Sequence, residues 1–261
     1  MMKEEVFADD ISLLLYAAHE GDVDSQFNLG LIYENGHGLA ADPVQAARWY
    51  ESAASAGDID AVFSLGTLYR LGRGVGRDYA KALALFTQAA TRGCSRSKFL
   101  LGVMHYLGEG VRSDQNAAAQ WYRDSAAEGL PQAHLFLGIM NYHGVMSQNE
   151  NGTLGVADMR EARISLNQAA KHDLPLAWYY LGVMSYFGIS VEKDYSEAAR
   201  WFRKSAERSV VGAQFFLGLM YQLGNGVPVL RSESMKWLIL AASGGCKDAE
   251  YFLGVLRLSR N

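Results

Sequence analysis

The sequence predicts an all-α solenoid, a pile of antiparallel helix pairs. Three observations predict it. Leu-Gly recurs at Leu29-Gly30, Leu65-Gly66, Leu101-Gly102, Leu137-Gly138, Leu181-Gly182, Leu217-Gly218 and Leu253-Gly254, in steps of 36 residues with one of 44. A second glycine follows six residues later at Gly36, Gly72, Gly108, Gly144, Gly188 and Gly224, and a third at Gly38, Gly74, Gly110 and Gly226. Small residues close each unit at Ala53-Ala54, Ala89-Ala90, Ser125-Ala126, Ala169-Ala170, Ser205-Ala206 and Ala241-Ala242. A fixed period of this length is the mark of a repeat array.

Each column has a physical reason. The first segment of a unit, such as 25–35, reads as a helix (A) with Phe27, Leu29, Leu31, Ile32 and Tyr33 apolar. The Leu-Gly glycine falls in mid-helix, where it costs about 1 kcal/mol relative to alanine. That cost is reasonable if the missing side chain lets a second helix come close. Gly-x-Gly ends helix A, because glycine accepts the left-handed conformation that closes a helix. Asp42, Asp78, Asp114, Asp158 and Asp194 then cap helix B, with Gln45, Glu161 and Glu197 placed to complete capping boxes. An aromatic pair follows at Trp49-Tyr50, Trp121-Tyr122 and Trp201-Phe202, thinning to Phe86 and Trp237 elsewhere. Ala-Ala gives helix B a thin face. Gly57, Gly93, Gly129 and Gly245 end it.

One such hairpin cannot bury its apolar face alone, and stacked copies can. The expected array is a single domain over 1–261, with repeats near 25–60, 61–96, 97–132, 133–176, 177–212 and 213–248 and a half repeat at each end, 10–24 and 249–261. The fourth repeat carries eight extra residues within 145–155. Loops on such arrays often touch partners. Asn151-Gly152-Thr153 within it matches a glycosylation sequon and is read as chance. The Met104, Met140, Met184 and Met220 column reads as core filling.

Composition is that of an ordinary globular chain, with 49% apolar and 20% charged residues. No run is long and apolar enough to cross a membrane and no secretory leader is visible, so the expected place is the cytoplasm. Cys94 and Cys246 are expected as free thiols. The net charge of −4 is uneven: residues 1–60 hold twelve Asp or Glu against Lys3 and Arg48, whereas 61–120 hold eight Lys or Arg against three acids. An acidic end argues against nucleic acid as the main ligand, since phosphates need clustered cations. The six histidines show no metalloprotease spacing. Gly-x-Gly follows a helix rather than a strand, so it is no phosphate loop. No catalytic residue, metal or cofactor is expected.

The columns A-x-x-x-L-G-x-x-Y-x-x-G-x-G-V, D-x-x-x-A and W-Y-x-x-A-A-x-x-G, clearest over 61–96, resemble the Sel-one-like repeat family, relatives of tetratricopeptide repeats. The resemblance covers nearly the whole chain. It implies a right-handed superhelix of antiparallel helix pairs that serves as an adaptor between proteins. Some members carry a cysteine pair in every repeat, and this chain does not. By analogy with tetratricopeptide arrays, three columns of helix A should line a concave groove. They are polar early (Asn28, Ser64, Glu34, Arg70) and aromatic later. The candidate partner-binding residues are therefore Leu100, Tyr106, Phe136, Tyr142, His143, Tyr180, Tyr186, Phe187 and Phe216, with Glu20, Asp22, Asp24 and Glu34 as an acidic end.

The expected function is a non-enzymatic scaffold that binds a protein or peptide, with no nucleic acid and no membrane insertion. It is expected as a monomer or a weak end-to-end dimer. The alternative is an immunity protein that neutralises a toxin by direct binding. A hydrolase with a groove site is the less favoured rival.

Overall fold

The computed structural model describes residues 2–144 and 158–258. Among them there are fourteen helices and no strand. They fall into two compact units that divide between Leu130 and Pro131. The first holds α1 (Met2–His19), α2 (Val23–Asn35), α3 (Pro43–Ser55), α4 (Ile59–Leu71), α5 (Tyr79–Thr91), α6 (Ser95–Leu107) and α7 (Gln115–Ala127). The second holds α8 (Pro131–His143), α9 (Met159–Ala170), α10 (Pro175–Phe187), α11 (Tyr195–Glu207), α12 (Val211–Leu223), α13 (Arg231–Ser243) and α14 (Lys247–Leu258). From α2 to α7 and from α8 to α13, even-numbered helices are the A helices and odd-numbered ones the B helices. Within each unit every helix packs on the next in sequence. The extra residues 145–155, with Asn151, lie outside the described residues.

The capping columns do what their chemistry requires. The carboxylates of Asp42, Asp78, Asp114, Asp158 and Asp194 accept hydrogen bonds from the first-turn backbone N–H groups of α3, α5, α7, α9 and α11. The reciprocal arm of the capping box is not made by Glu197. Its carboxylate accepts instead from Ser185 Oγ at 3.0 Å and Trp201 Nε1 at 3.4 Å, tying α11 to α10. Asp22 and Asp58 cap α2 and α4 in the same manner, whereas α10 and α12 start at Leu174 and Val210 without a side-chain cap.

The Leu-Gly glycine is the seat on which helix B rests. In the first unit a Cβ on Gly30, Gly66 or Gly102 would lie 2.3, 2.8 or 2.6 Å from the ring of Tyr50, Phe86 or Tyr122. In the second unit Gly138, Gly182 and Gly218 lie equally close under Leu166, Phe202 and Leu238. The second residue of each aromatic pair is thus the knob, and all six knobs are buried. The small-residue column lies three residues after the knob, on the same side of helix B: Ala53, Ala89, Ser125, Ala169, Ser205 and Ala241 are fully buried. Where serine stands there, its hydroxyl donates to a carbonyl at the start of the paired helix, Ser125 to Ser95 at 2.8 Å and Ser205 to Pro175 at 2.7 Å. The methionines at 104, 140, 184 and 220 are buried core, as expected.

The third glycine joins one repeat to the one before it. Gly74 has φ of +71°, and a Cβ on it would lie 2.0 Å from the carbonyl oxygen of Pro43 at the start of α3. Gly226 repeats this against Tyr195 of α11 at 2.2 Å. A loop can press backbone on backbone in this way only where no side chain intervenes.

Candidate functional site

In the second unit α8, α10 and α12 lie side by side and carry the aromatic columns. Tyr142 and Tyr180 meet edge to face at 5.2 Å, and His143 Nε2 lies 3.2 Å from the Tyr180 hydroxyl. Tyr186 packs on Phe216 at 5.6 Å and on Phe187 at 4.9 Å. Phe216 stacks on the buried Phe202 at 4.9 Å, with the rings nearly parallel. The structure therefore brings Tyr142, His143 and Tyr180 into one cluster and Tyr186, Phe187 and Phe216 into a second. Tyr179 links them, touching Tyr180 at 5.3 Å and Phe216 at 6.4 Å.

These residues divide between two tasks. Tyr142, Tyr180, Tyr186 and Phe216 are half-buried and pack against the core of the unit, so part of the aromatic surplus is core. Burial pushes the Tyr142 hydroxyl above its ordinary pKa and does the same for Tyr180, with neighbouring tyrosines adding to it. Both hydroxyls therefore stay protonated, able to donate as well as accept. Phe136, His143 and Phe187 face solvent, Phe187 with 53% of its surface.

In the first unit Leu100 is half-buried on α6 and Tyr106 is exposed. The early polar members of the columns are not vacant. Glu34 accepts a hydrogen bond from the Tyr50 hydroxyl at 2.8 Å and faces Arg73 at 3.6 Å. Arg70 makes a two-pronged pair with Glu109, at 2.6 and 3.3 Å. In both pairs one partner stands four residues after the Leu-Gly glycine, and the other is the middle residue of Gly-x-Gly one repeat on. Asn225 and the Tyr186 hydroxyl, 3.2 Å apart, repeat the arrangement in the second unit. These cross-links stitch neighbouring repeats along the same helix row. Glu34 is thus engaged inside the fold, which its placement in an acidic binding end does not anticipate. Glu20, Asp22 and Asp24 are exposed around the α1–α2 turn. Asp22 caps α2, and the Ser25 hydrogen bonds hold its carboxyl below the usual range.

Of one expected groove column, the sequence reading names His143 and Phe187 as contacts and leaves out the leucines. The residue that ends helix A is exposed in each case: Asn35, Leu71 and Leu107 in the first unit, His143, Phe187 and Leu223 in the second. Leu71, Leu107 and Leu223 leave 51, 57 and 58% of their surface in solvent. Its sequence signature is a residue, mostly apolar, immediately before a helix-ending glycine. Both cysteines are free and half-buried. Among the described residues no group of three or more His, Cys, Asp or Glu is gathered to hold a metal, and no helix is long and apolar enough to cross a membrane.

The family model for the Sel1 repeat matches residues 23–58, 59–94, 95–130, 131–171, 175–210 and 211–246. The chain belongs to the Sel1 repeat family. The Sel1 frames open at the first residue of α2, α4, α6, α8, α10 and α12, so each frame is one A–B pair. Sel1 repeats mediate protein interactions, and proteins built from them are generally non-catalytic scaffolds. Among solved structures the chain is similar to a protective antigen of uropathogenic Escherichia coli, with 31% identity and a TM-score of 0.83 over 93% of this chain. The chain spans about half (50%) of that antigen. It is also similar to a Sel1 repeat protein from Oxalobacter formigenes, with 31% identity and a TM-score of 0.63 over 97% of this chain and 81% of the other. An immunity protein from Pseudomonas aeruginosa shares the fold at 18% identity and a TM-score of 0.50, over 86% of this chain and 83% of that one. No curated protein matches the chain.

Proposed function

We propose that this Sel1 repeat protein is a non-enzymatic adaptor that captures a protein or peptide on the A-helix row of its second unit. The observation that carries the reading is the pairing of exposed apolar side chains with a fixed aromatic bed. Phe136, Phe187 and Leu223 leave 37, 53 and 58% of their surface in water. Beside them Tyr142, Tyr180, Tyr186 and Phe216 are held by ring contacts and core packing, so little side-chain freedom remains to be lost on binding. Exposed apolar surface with polar edges marks an interaction site, and tyrosine is favoured at the points that dominate binding energy. Unpaired acceptors of a peptide backbone would find donors in the protonated tyrosine hydroxyls.

The test is affinity for the partner recovered by purification on this protein. Tyr142→Ala with Tyr186→Ala is expected to keep the helical circular-dichroism signal and weaken binding by more than about 1 kcal/mol. Phe187→Asp with Leu223→Asp, both at exposed sites, is expected to weaken it by about 2 kcal/mol or more with no loss of melting temperature. Unchanged affinity in both double variants sinks the proposal. Neutralisation of a basic toxin is a narrower form of the same reading. The exposed Glu20, Asp22 and Asp24 favour it, and rescue of cells expressing a toxin encoded nearby is its test.

A further inference from the structure

Six Leu-Gly seats are filled, and among the described residues nothing fills the seventh. A Cβ on Gly254 would meet nothing within 4 Å. Its helix, α14, buries Ala249 and Leu253 against α13 and turns the opposite face to solvent, with Tyr251 75% and Val255 43% exposed. Tyr251 stands in the column of Phe27, Phe63 and Phe99. In the first unit those rings touch the knobs Tyr50, Phe86 and Tyr122 at 5.7, 5.9 and 5.5 Å. Helix α14 is therefore an A helix with no B helix on it among the described residues.

Helix α1 has the opposite lack. It is a B helix by register, and Leu14 stands in the knob column, 36 residues before Tyr50. Leu14 and Ile11 of α1, Asn28, Leu31 and Ile32 of α2, and His37 and Gly38 after it line a cleft of about 720 Å³. One repeat on, α2 itself occupies the equivalent place between α3 and α4. There Tyr50 stands over Gly30, and Arg73, the counterpart of His37, faces Glu34. Ile32 shows the consequence of the empty place. It is half-exposed, whereas its counterparts Leu68 and Met104 are fully buried. The cleft is the seat of an A helix.

We propose that a second copy of this chain supplies that helix: α14 of one molecule lies in the α1–α2 cleft of the next, with Leu14 on Gly254 and Tyr251 beside it. A knob without a seat and a seat without a knob, in one register, make the contact head-to-tail. Charge favours the same pairing. Residues 1–60 carry twelve acids against two bases, while 247–261 carry Lys247, Arg257 and Arg260 against Asp248 and Glu250. A pairing of α14 with α14 would leave the cleft empty and Leu14 unmatched.

Sedimentation velocity on the whole chain over a concentration series tests this. The unmodified protein is expected to form species heavier than the monomer as concentration rises. Gly254→Arg, whose side chain enters open space, and Leu14→Asp are each expected to sediment as monomers. An equal mixture of the two is expected to give a dimer and nothing larger, because each variant keeps one intact surface and the two surfaces are complementary. If Leu14→Asp loses helical signal, Asn28→Arg replaces it, since Asn28 is exposed. A protein that stays monomeric at every concentration would overturn the proposal. So would a cleft variant that self-associates like the unmodified chain, which would point to α14 pairing with itself, or a mixture that forms no dimer.

Discussion

Gly74→Ala is expected to destabilise the first unit by roughly 3 kcal/mol, the largest effect of a single methyl at any glycine of that unit. Two costs combine. The φ of +71° at Gly74 puts a Cβ against its own carbonyl, at about 1–2 kcal/mol for an L residue. The same Cβ would sit 2.0 Å from the Pro43 oxygen and 2.2 Å from its carbon. Backbone cannot swing aside as a side chain does, so the loop must lift off α3, at about 1–3 kcal/mol by the usual cost of overpacking. Lifting also draws Arg73 away from Glu34 and loosens the link between adjacent repeats. In an array where each repeat touches only its neighbours, such a break is felt locally and lowers the cooperativity of the melt. A fall in melting temperature of roughly 10 °C is expected by calorimetry. Gly76→Ala is the control two residues away. A Cβ there meets nothing within 4 Å, and the melt should not move.

The second prediction compares two glycines with the same sequence neighbour and opposite surroundings. Gly102→Ala places a Cβ 2.6 Å from the Tyr122 ring, and Tyr122 is only 1% exposed, so the ring has no room to withdraw. Overpacking costs about 1–3 kcal/mol, and the better helix propensity of alanine returns about 1 kcal/mol. A net loss of about 1–2 kcal/mol is expected. Gly254→Ala should show the propensity term alone, a gain of up to about 1 kcal/mol, because nothing stands over it. The opposite signs are the informative result. Urea unfolding of the two variants reads them directly. Equal effects at both sites would mean that the Leu-Gly glycine is not a seat.

The fold was legible because its determinants are local and repeated. Leu-Gly at a 36-residue period and capping aspartates such as Asp42 and Asp114 declare themselves in a single repeat and recur in the others. Even the role of the mid-helix glycine followed from its cost. Less legible was which member of Trp121-Tyr122 meets the glycine. Both are large and apolar, and only the geometry of the pair puts Tyr122 on Gly102 while Trp121 packs elsewhere in the core. The site was legible in part for the same reason. Helix A touches its own B helix, the preceding B helix and the neighbouring A helices, so it is apolar nearly all round, and no stripe reveals the open side. Leu71, Leu107 and Leu223 share a column with His143 and Phe187, yet only the structure shows that each leaves more than half of its surface in water. Glu34 looks available, but its partners Tyr50 and Arg73 lie 16 and 39 residues away, beyond any local pattern. Where a glycine column fails, the backbone keeps its shape all the same. Ser190 and Ser209 hold φ of 60° and 64° in positions that glycine fills elsewhere.

The central claim is that the A-helix row of the second unit is the face that meets a partner. Site-specific photo-crosslinking in the host cell tests it most directly, with a photoreactive residue placed at Phe187, at Leu223 or at Ile164. Ile164 is an equally apolar control on the B helix α9, 47% exposed. The account predicts one discrete protein adduct from positions 187 and 223, lost when Tyr142→Ala and Tyr186→Ala are added, and none from 164. An adduct from 164 alone, or the same adduct from all three, would contradict it.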